Sequence, residues 1–506
     1  METMVAAESI QPITHYKAYK PRPFSREERD SVTILFGGLT WKHERLVQGV
    51  FHNLKYKAEP LPNIARTDLD IGKEMIDVGA CCPTIFTTGN LASFLKSKAE
   101  TLGNEDVANK YAFLTAGACG PCRFGQYHES YTMALKGLGL GDFRLFLLSQ
   151  NKLDQGSEGG GGLEISLPFT TGVVWAILCG DILTDMEYMT RPYEVVPGTT
   201  DRVLKESVEE LYEVFRNRPV LPNKWKMLGW HLLTSYFTNA MRQIRKKWDS
   251  IEVDRLQVKP KVKVTGEFWL QTHEGEGNYN IKRWLEQEGA EVIPPPIAVW
   301  LDYLVRSQVF KFEDRKGLDK NIPMKIALVK VIQGVFHRTY NQLRKSMGYM
   351  PYELPDQEEL RRLANPYYHY RLRGGEGHML VGKALYAYHH KKAHMICELS
   401  PYSCMPNTMS VGSMAKVLGE YPDLLYAPIE VKGDAEVHAL SRCQMILTEA
   451  KKRAQSEFEG VLKSKGLTIE GIRRRESKVP KVRKSTYRIP HSGVAGTATN
   501  YALHLA

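Results

Sequence analysis

Two cysteines with two residues between them stand in Thr115-Ala-Gly-Ala-Cys119-Gly-Pro-Cys122-Arg-Phe-Gly-Gln-Tyr127. A short apolar run, 111–114, precedes the motif, and an amphipathic segment ending near Leu135 follows it. This order predicts a strand, a tight glycine-rich turn and a helix. A helix start offers unpaired N–H groups and the positive end of the dipole, which favour thiolate over thiol. A thiolate can attack a disulfide or ligate a metal. Cys81, Cys82 and Cys404 lie in loops of similar Gly/Pro character. In a parallel α/β sheet the working residues collect beyond the carboxyl ends of strands. Cys119, Cys122 and Cys404 each follow a predicted strand, so thiols from several loops can meet at one edge.

Soft thiolates suit iron–sulfur clusters or zinc. Zinc more often shows two compact Cys-x-x-Cys pairs. One such pair with two remote single cysteines suits a cluster held between domains. The rival reading is a thioredoxin-type dithiol, because Cys-Gly-Pro-Cys between strand and helix is that pattern too. Against it, Ala118 stands where thioredoxins carry tryptophan, the chain is far larger than a thioredoxin domain, and the other loop cysteines would have no role. Unreactive cysteines are the third reading. Cys179 lies in an apolar segment and reads as core packing. Cys397 falls within a predicted strand and Cys443 on a long predicted helix.

The elements that must position these loops follow an α/β rhythm. A strand over 31–36, a helical face of Leu46, Val47, Val50, Phe51 and Leu54, and a strand over 56–61 form a βαβ unit, which calls for a parallel sheet. Further strands are predicted over 142–148, 262–265, 290–293, 392–399 and 424–430, with Pro294-Pro-Pro296 ending one of them. Helices are predicted through Trp175 and Ile182 and over 437–463. The fold class is α/β, with two Rossmann-like parallel-sheet domains and additional helices. The expected division is a tail over 1–30, a first α/β domain over 31–200 with the Cys81 and Cys119/Cys122 loops, and a helical bridge over 201–255. A second α/β domain over 256–465 carries the Cys404 loop, and a basic segment over 466–506 follows, its stretch 471–485 reading as mobile.

The remaining motifs favour plain readings. The glycine run 157–162 reads as a flexible spacer rather than a lid. Gly374-Gly-Glu-Gly377 reads as a glycine turn rather than an anion site, since it lacks a full phosphate fingerprint. His128 and Glu129 read as a solvated helical face rather than a proton relay. Arg191-Pro-Tyr-Glu194 shows no chemistry by spacing.

With 506 residues the chain should hold more than one domain. The longest uninterrupted apolar run, 172–180, is too short for a membrane helix, and no signal peptide is legible at the start. A cytoplasmic setting with reduced cysteines is expected. The formal net charge of +11 is concentrated in short runs such as 245–247, 259–263 and 473–484. These read as solvated faces and a basic tail, or as surfaces for an acidic or phosphate-bearing partner such as a coenzyme A thioester or an acidic electron donor. No nucleic-acid-binding signature and no nucleotide-hydrolysis motif is present.

Taken together, the motifs are identifiable. Gly-Ala-Cys119-Gly-Pro-Cys122-Arg-Phe-Gly-Gln-Tyr resembles the large activase-related members of the 2-hydroxyacyl-CoA dehydratase and benzoyl-CoA reductase superfamily. So do Cys81-Cys-Pro-Thr84 with Thr88-Gly-Asn90, Arg191-Pro-Tyr-Glu194, Val264-Thr-Gly-Glu-Phe-Trp269, Gly375-Glu-Gly-His378 and Cys404-Met-Pro406. The similarity runs from about Ser31 to Thr497-Ala-Thr-Asn500. It implies flavodoxin-like domains with an iron–sulfur cluster between them, of [4Fe-4S] type, with a double-cubane cluster in some relatives. Cys81, Cys119, Cys122 and Cys404 match the ligands. It implies low-potential electron transfer driven by an ATP-hydrolysing activator, and dimers are common in the superfamily. The substrate would be an acyl-CoA thioester undergoing dehydration or reduction, or a small molecule reduced at the cluster. Two departures stand out. The ATPase module that many relatives carry upstream on the same polypeptide is not in this sequence, which implies a separate activating partner. Cys82 stands where the family has asparagine, which makes it an alternative ligand, a fifth thiol or incidental. A thiol–disulfide oxidoreductase and a non-catalytic partner of a dehydratase are the alternative functions.

Overall fold

The structure, a computed structural model, describes residues 22–77, 79–117, 122–149, 152–155, 161–372 and 375–506. Two sheets organise it. The first is built from β1 (Thr33–Phe36), β2 (Lys57–Pro60), β3 (Tyr111–Gly117), β4 (Arg144–Ser149) and β5 (Lys152–Asp154), in the order β2-β1-β3-β4-β5. All neighbours are parallel except β4 and β5. The second is built from β6 (Lys261–Gly266), β7 (Glu291–Ile293), β8 (Met395–Pro401) and β9 (Leu425–Val431), in the order β7-β6-β8-β9, all parallel. The α/β class is therefore present twice, with helices making up most of the remaining structure. In each sheet the second strand lies outside the first and the third lies inside it, which is the flavodoxin-like order.

The first sheet buries Ile34, Phe36 and Ala112 against the helices Trp41–Asn53, Leu167–Thr190 and Thr199–Arg216. The helices expected to bridge the domains thus complete the first core: Val208, Leu211, Phe215, Met241 and Trp248 are all part of it. Residues 297–347 pack back onto it through Ala298, Tyr340, Leu343 and Met347. The second sheet has its own core, with Val262, Val264, Cys397 and Ile429 against Cys443 and Leu447 of the helix Glu436–Lys465. Cys179 is buried in the first core, as its apolar surroundings predict.

Two expectations are corrected. The stretch 471–485 is not a loose basic tail. Ile472 and Val482 dock with Leu256, Phe458 and Tyr501 in a separate small core. The buried Arg255 guanidinium donates to the carbonyls of Val482, Lys484 and Ser485 and fixes this segment. Likewise, the apolar run at 172–180 belongs to a helix of 24 residues, Leu167–Thr190. Among the described residues the segment Leu167–Tyr193 is the one helix long and apolar enough to cross a membrane, and 67% of its apolar window is buried inside the protein. Its acids each hold another element. Asp181 accepts the N–H groups of Ile297 (2.9 Å) and Ala298 (2.7 Å), Asp185 accepts that of Tyr352 (2.9 Å), and Glu187 accepts from Lys42 (2.7 Å). It is the core helix of a folded domain.

Candidate metal centre

Strand order reverses between β1 and β3 in the first sheet and between β6 and β8 in the second. In the sequence beyond the carboxyl end of β3 come Cys119 and Cys122, beyond β6 comes Glu267, and beyond β8 comes Cys404. These are the positions at which open α/β sheets bind their ligands.

Three of the predicted thiols stand at helix starts. Cys81 caps the helix Cys82–Leu102, and Cys404 caps the helix Met405–Glu420. Each of these helices has proline in its first turn, where its fixed φ suits the helix and its missing N–H costs nothing. Cys122 precedes a 3-10 turn, Arg123–Gln126, that runs into the helix Tyr127–Gly137. Cys119 lies outside the described residues, as does most of the 157–162 run.

The Cys81 and Cys404 loops are laced together across the domain junction. Ser403 Oγ donates to the Gly79 carbonyl (3.2 Å), and the Cys82 N–H donates to the Tyr402 carbonyl (3.3 Å). Cys122 joins them through its own helix, whose Tyr127 hydroxyl lies 3.5 Å from Cys81 Sγ. The Thr84 hydroxyl is 3.0 Å from the same sulfur. The fold thus brings together Cys81, Cys122 and Cys404, which are remote in sequence. Cys82 turns away. Cys81 packs with Leu91, Phe113 and Tyr127 of the first domain, whereas Cys82 packs with Leu69, Phe86 and Trp269 against the second.

All three thiols are free, and among the described residues no group of three or more His, Cys, Asp or Glu side chains closes into a metal-holding geometry. Their electrostatics is informative. Burial pushes the Cys122 thiol up to about 11 and the Cys404 thiol higher still, and the Glu267 carboxylate adds to both. Backbone N–H groups at the helix starts pull the other way, from Phe124 for Cys122 and from Asn407 for Cys404, but burial wins. A helix start alone therefore does not make Cys122 a thiolate. The donors fit a soft metal or an iron–sulfur cluster, because the positive charge that would stabilise buried thiolates is what such a group brings.

Glu267 and Glu376 were legible only as parts of motifs. Glu267 caps the helix Phe268–Thr272 by accepting the Leu270 N–H (2.9 Å), and Glu376 accepts the Phe268 N–H (3.0 Å). Burial and their mutual repulsion push Glu267 up to about 7, and burial raises Glu376 as well. Gly266 lets this strand end pass close to β8: a Cβ there would lie 2.2 Å from the Leu399 carbonyl oxygen. A Cβ on Gly375 would lie 2.7 Å from Pro406, so the glycine turn lies directly on the Cys404 helix start. The first glycine of this motif, Gly374, lies outside the described residues. The signal for Glu267 was an acid directly beyond a strand at its carboxyl end.

The other motifs are structural. Arg191 is buried and paired with Glu187, Asp201 (3.0 Å) and Glu286 (2.6 Å), while Tyr193 donates to Glu291 of β7 (2.8 Å). The Arg191–Glu194 turn therefore ties the long core helix to the second sheet. His128 and Glu129 lie 3.9 Å apart; Glu129 is exposed, but the His128 side chain is mostly buried and burial lowers its pKa, so only the glutamate half fits the expected solvated face. No family model matches this chain, and no curated protein matches it.

Proposed function

We propose that this chain is an iron–sulfur protein of low-potential electron transfer, with Cys81, Cys119, Cys122 and Cys404 ligating one [4Fe-4S]-type cluster between its two α/β domains. One observation carries the reading: the Cys81 and Cys404 loops, from different domains, are hydrogen-bonded to each other, and the helix that follows Cys122 sets the Tyr127 hydroxyl 3.5 Å from Cys81 Sγ, with Cys119 three positions before Cys122 in the sequence. A bound cluster would supply a one-electron carrier whose potential follows its ligands, burial and hydrogen bonds to sulfur. The chain's own residues set that environment. Thr84 and Tyr127 present hydroxyls to the Cys81 sulfur. Glu267 and Glu376, as carboxylates, keep negative charge near the thiols and disfavour an added electron, which suits a low potential. Cys81 rather than Cys82 is the ligand of that loop, because Cys82 packs into the second core.

The electron donor is a separate ATP-hydrolysing activator in the cytoplasm, and the acceptor is an acyl-CoA thioester or a small molecule. A thiol–disulfide oxidoreductase is disfavoured by the raised Cys122 thiol, since exchange needs an accessible thiolate near ambient pH. The test is anaerobic reconstitution of the full chain followed by reduction with dithionite and electron paramagnetic resonance. The reading predicts a paramagnetic reduced state that disappears in Cys122→Ser and in Cys404→Ser. An unchanged signal in Cys404→Ser would refute a cluster shared between the domains.

A further inference from the structure

β6 alternates in an unusual way. Val262 and Val264 enter the apolar core of the second sheet, so Lys261 and Lys263 point to the opposite face. The register places Glu291 and Ile293 of β7 beside them on that face. A central strand of a parallel sheet is ordinarily apolar on both faces, and lysine is almost never buried without a partner. Here the face borders a cavity of about 260 Å³.

The cations that line this cavity divide into two groups. Lys261 is paired with Glu291 (3.2 Å) and Arg344 with Glu353 (3.1 Å), and Arg255 is spent on backbone carbonyls. Lys263, Lys383, Lys392 and Arg488 have no carboxylate within ion-pair distance among the described residues. Lys263 donates to the Pro294 carbonyl (3.0 Å), and the buried Lys383 donates to Gln271 Oε1 (3.1 Å). Burial and repulsion by Lys383 pull Lys263 down to about 7, and burial pulls Lys383 down to about 8. Two buried lysines thus line one cavity with no ion-paired carboxylate, although Asp185 attracts Lys263 and Glu376 and Glu398 attract Lys383 from farther off. Pro295, Pro296, Val299, Trp300 and Met350 add an apolar wall, while the lining carboxylates Glu291 and Glu353 are already taken by Lys261 and Arg344.

We propose that this cavity binds a small organic acid, its carboxylate seated between Lys263 and Lys383 and its apolar body against Trp300 and the prolines. At about 260 Å³ the cavity falls below the roughly 300–1,000 Å³ of pockets that enclose drug-sized ligands, so it can enclose a small acid but not a whole nucleotide-bearing thioester. The site stands whether or not the thiols hold a cluster, but the two are neighbours. The helix Phe268–Thr272 is capped by Glu267 and carries Gln271, and the helix Gly377–His389 is capped by Glu376 and carries Lys383.

The test is calorimetric titration and thermal unfolding of the full chain with straight-chain, branched and aryl carboxylic acids of about four to nine carbons, with inorganic phosphate in parallel. At least one acid binds and raises the melting temperature. Lys263→Met and Lys383→Met each weaken that binding at least tenfold, while the exposed Lys205→Met leaves it unchanged. Without ligand, Lys263→Met still unfolds cooperatively, since the buried lysine it removes has no ion-paired carboxylate and only the more distant attraction of Asp185 is lost. The proposal is overturned if no acid binds, if phosphate alone binds, or if both cavity variants bind as the wild type does.

Discussion

Cys81 and Cys82 are adjacent in sequence and belong to different cores. Cys81 faces Tyr127 and the other loop thiols, and Cys82 faces Phe86 and Trp269. Cys81→Ser should therefore lose bound iron. Cys82→Ser should keep it while losing about 1–3 kcal/mol of stability, the cost of placing a hydroxyl in an apolar site. Iron content and denaturant unfolding of the same samples check both outcomes. The loop cysteines were legible as a set because each has Gly or Pro within two positions and most follow a strand. Which core each of the adjacent pair enters was not legible, because that depends on how two domains separated by hundreds of residues face each other. Lys263 was misread for a related reason. The run 259–263 looks like a solvated basic face, yet the alternation of Val262 and Val264 with Lys261 and Lys263 already marked a strand with one charged face.

Among the elements, the helix Leu167–Thr190 departs most from its sequence reading. Asp181, Asp185 and Glu187 interrupt the apolar run and make it look short, but the helix continues through them because each acid finds a partner in another element. Asp185 is the least compensated. Its Oδ1 has no hydrogen-bond partner, and burial pushes its carboxyl from 3.8 up to about 8. A folded-state value above the unfolded one means that the stability is greatest below about pH 4 and is lost as pH rises through about 8. Asp185→Asn should therefore match the wild type near pH 4 and exceed it by roughly 1–3 kcal/mol near pH 8, where the wild-type carboxylate is penalised. Urea unfolding across that range measures the difference, and a variant less stable than the wild type at pH 8 would contradict it. The parallel strands were legible from their apolar runs between turn residues. β5 was not: it has only three residues and pairs antiparallel at the sheet edge, so it carries too little pattern to read.

At the scale of the whole molecule, two separately built sheets are locked into one frame by buried charge. Lys42 of the first domain is fully buried between Glu187 (2.7 Å) and Glu274 (2.6 Å), and Arg191 reaches Glu286 beside the second sheet. The two carboxylates hold the Lys42 ammonium charged despite its burial. Removing one partner of such a group leaves uncompensated charge, so Lys42→Met should cost about 3–5 kcal/mol and loosen the junction that aligns the Cys81 and Cys404 loops. Denaturant unfolding followed together with iron loss would show both effects in one transition, whereas iron retention through a destabilised junction would contradict the link. The basic C-terminal segment was misread at this scale as well. Its apolar residues are sparse, and their docking partners Leu256 and Phe458 are distant in sequence. The central claim, a cluster held between the domains, is tested most directly by iron and acid-labile sulfide counts on the full chain purified without oxygen. The account predicts about four of each per chain, with a broad brown absorbance. A colourless protein that stays free of iron after anaerobic reconstitution, or that carries zinc instead, would contradict it.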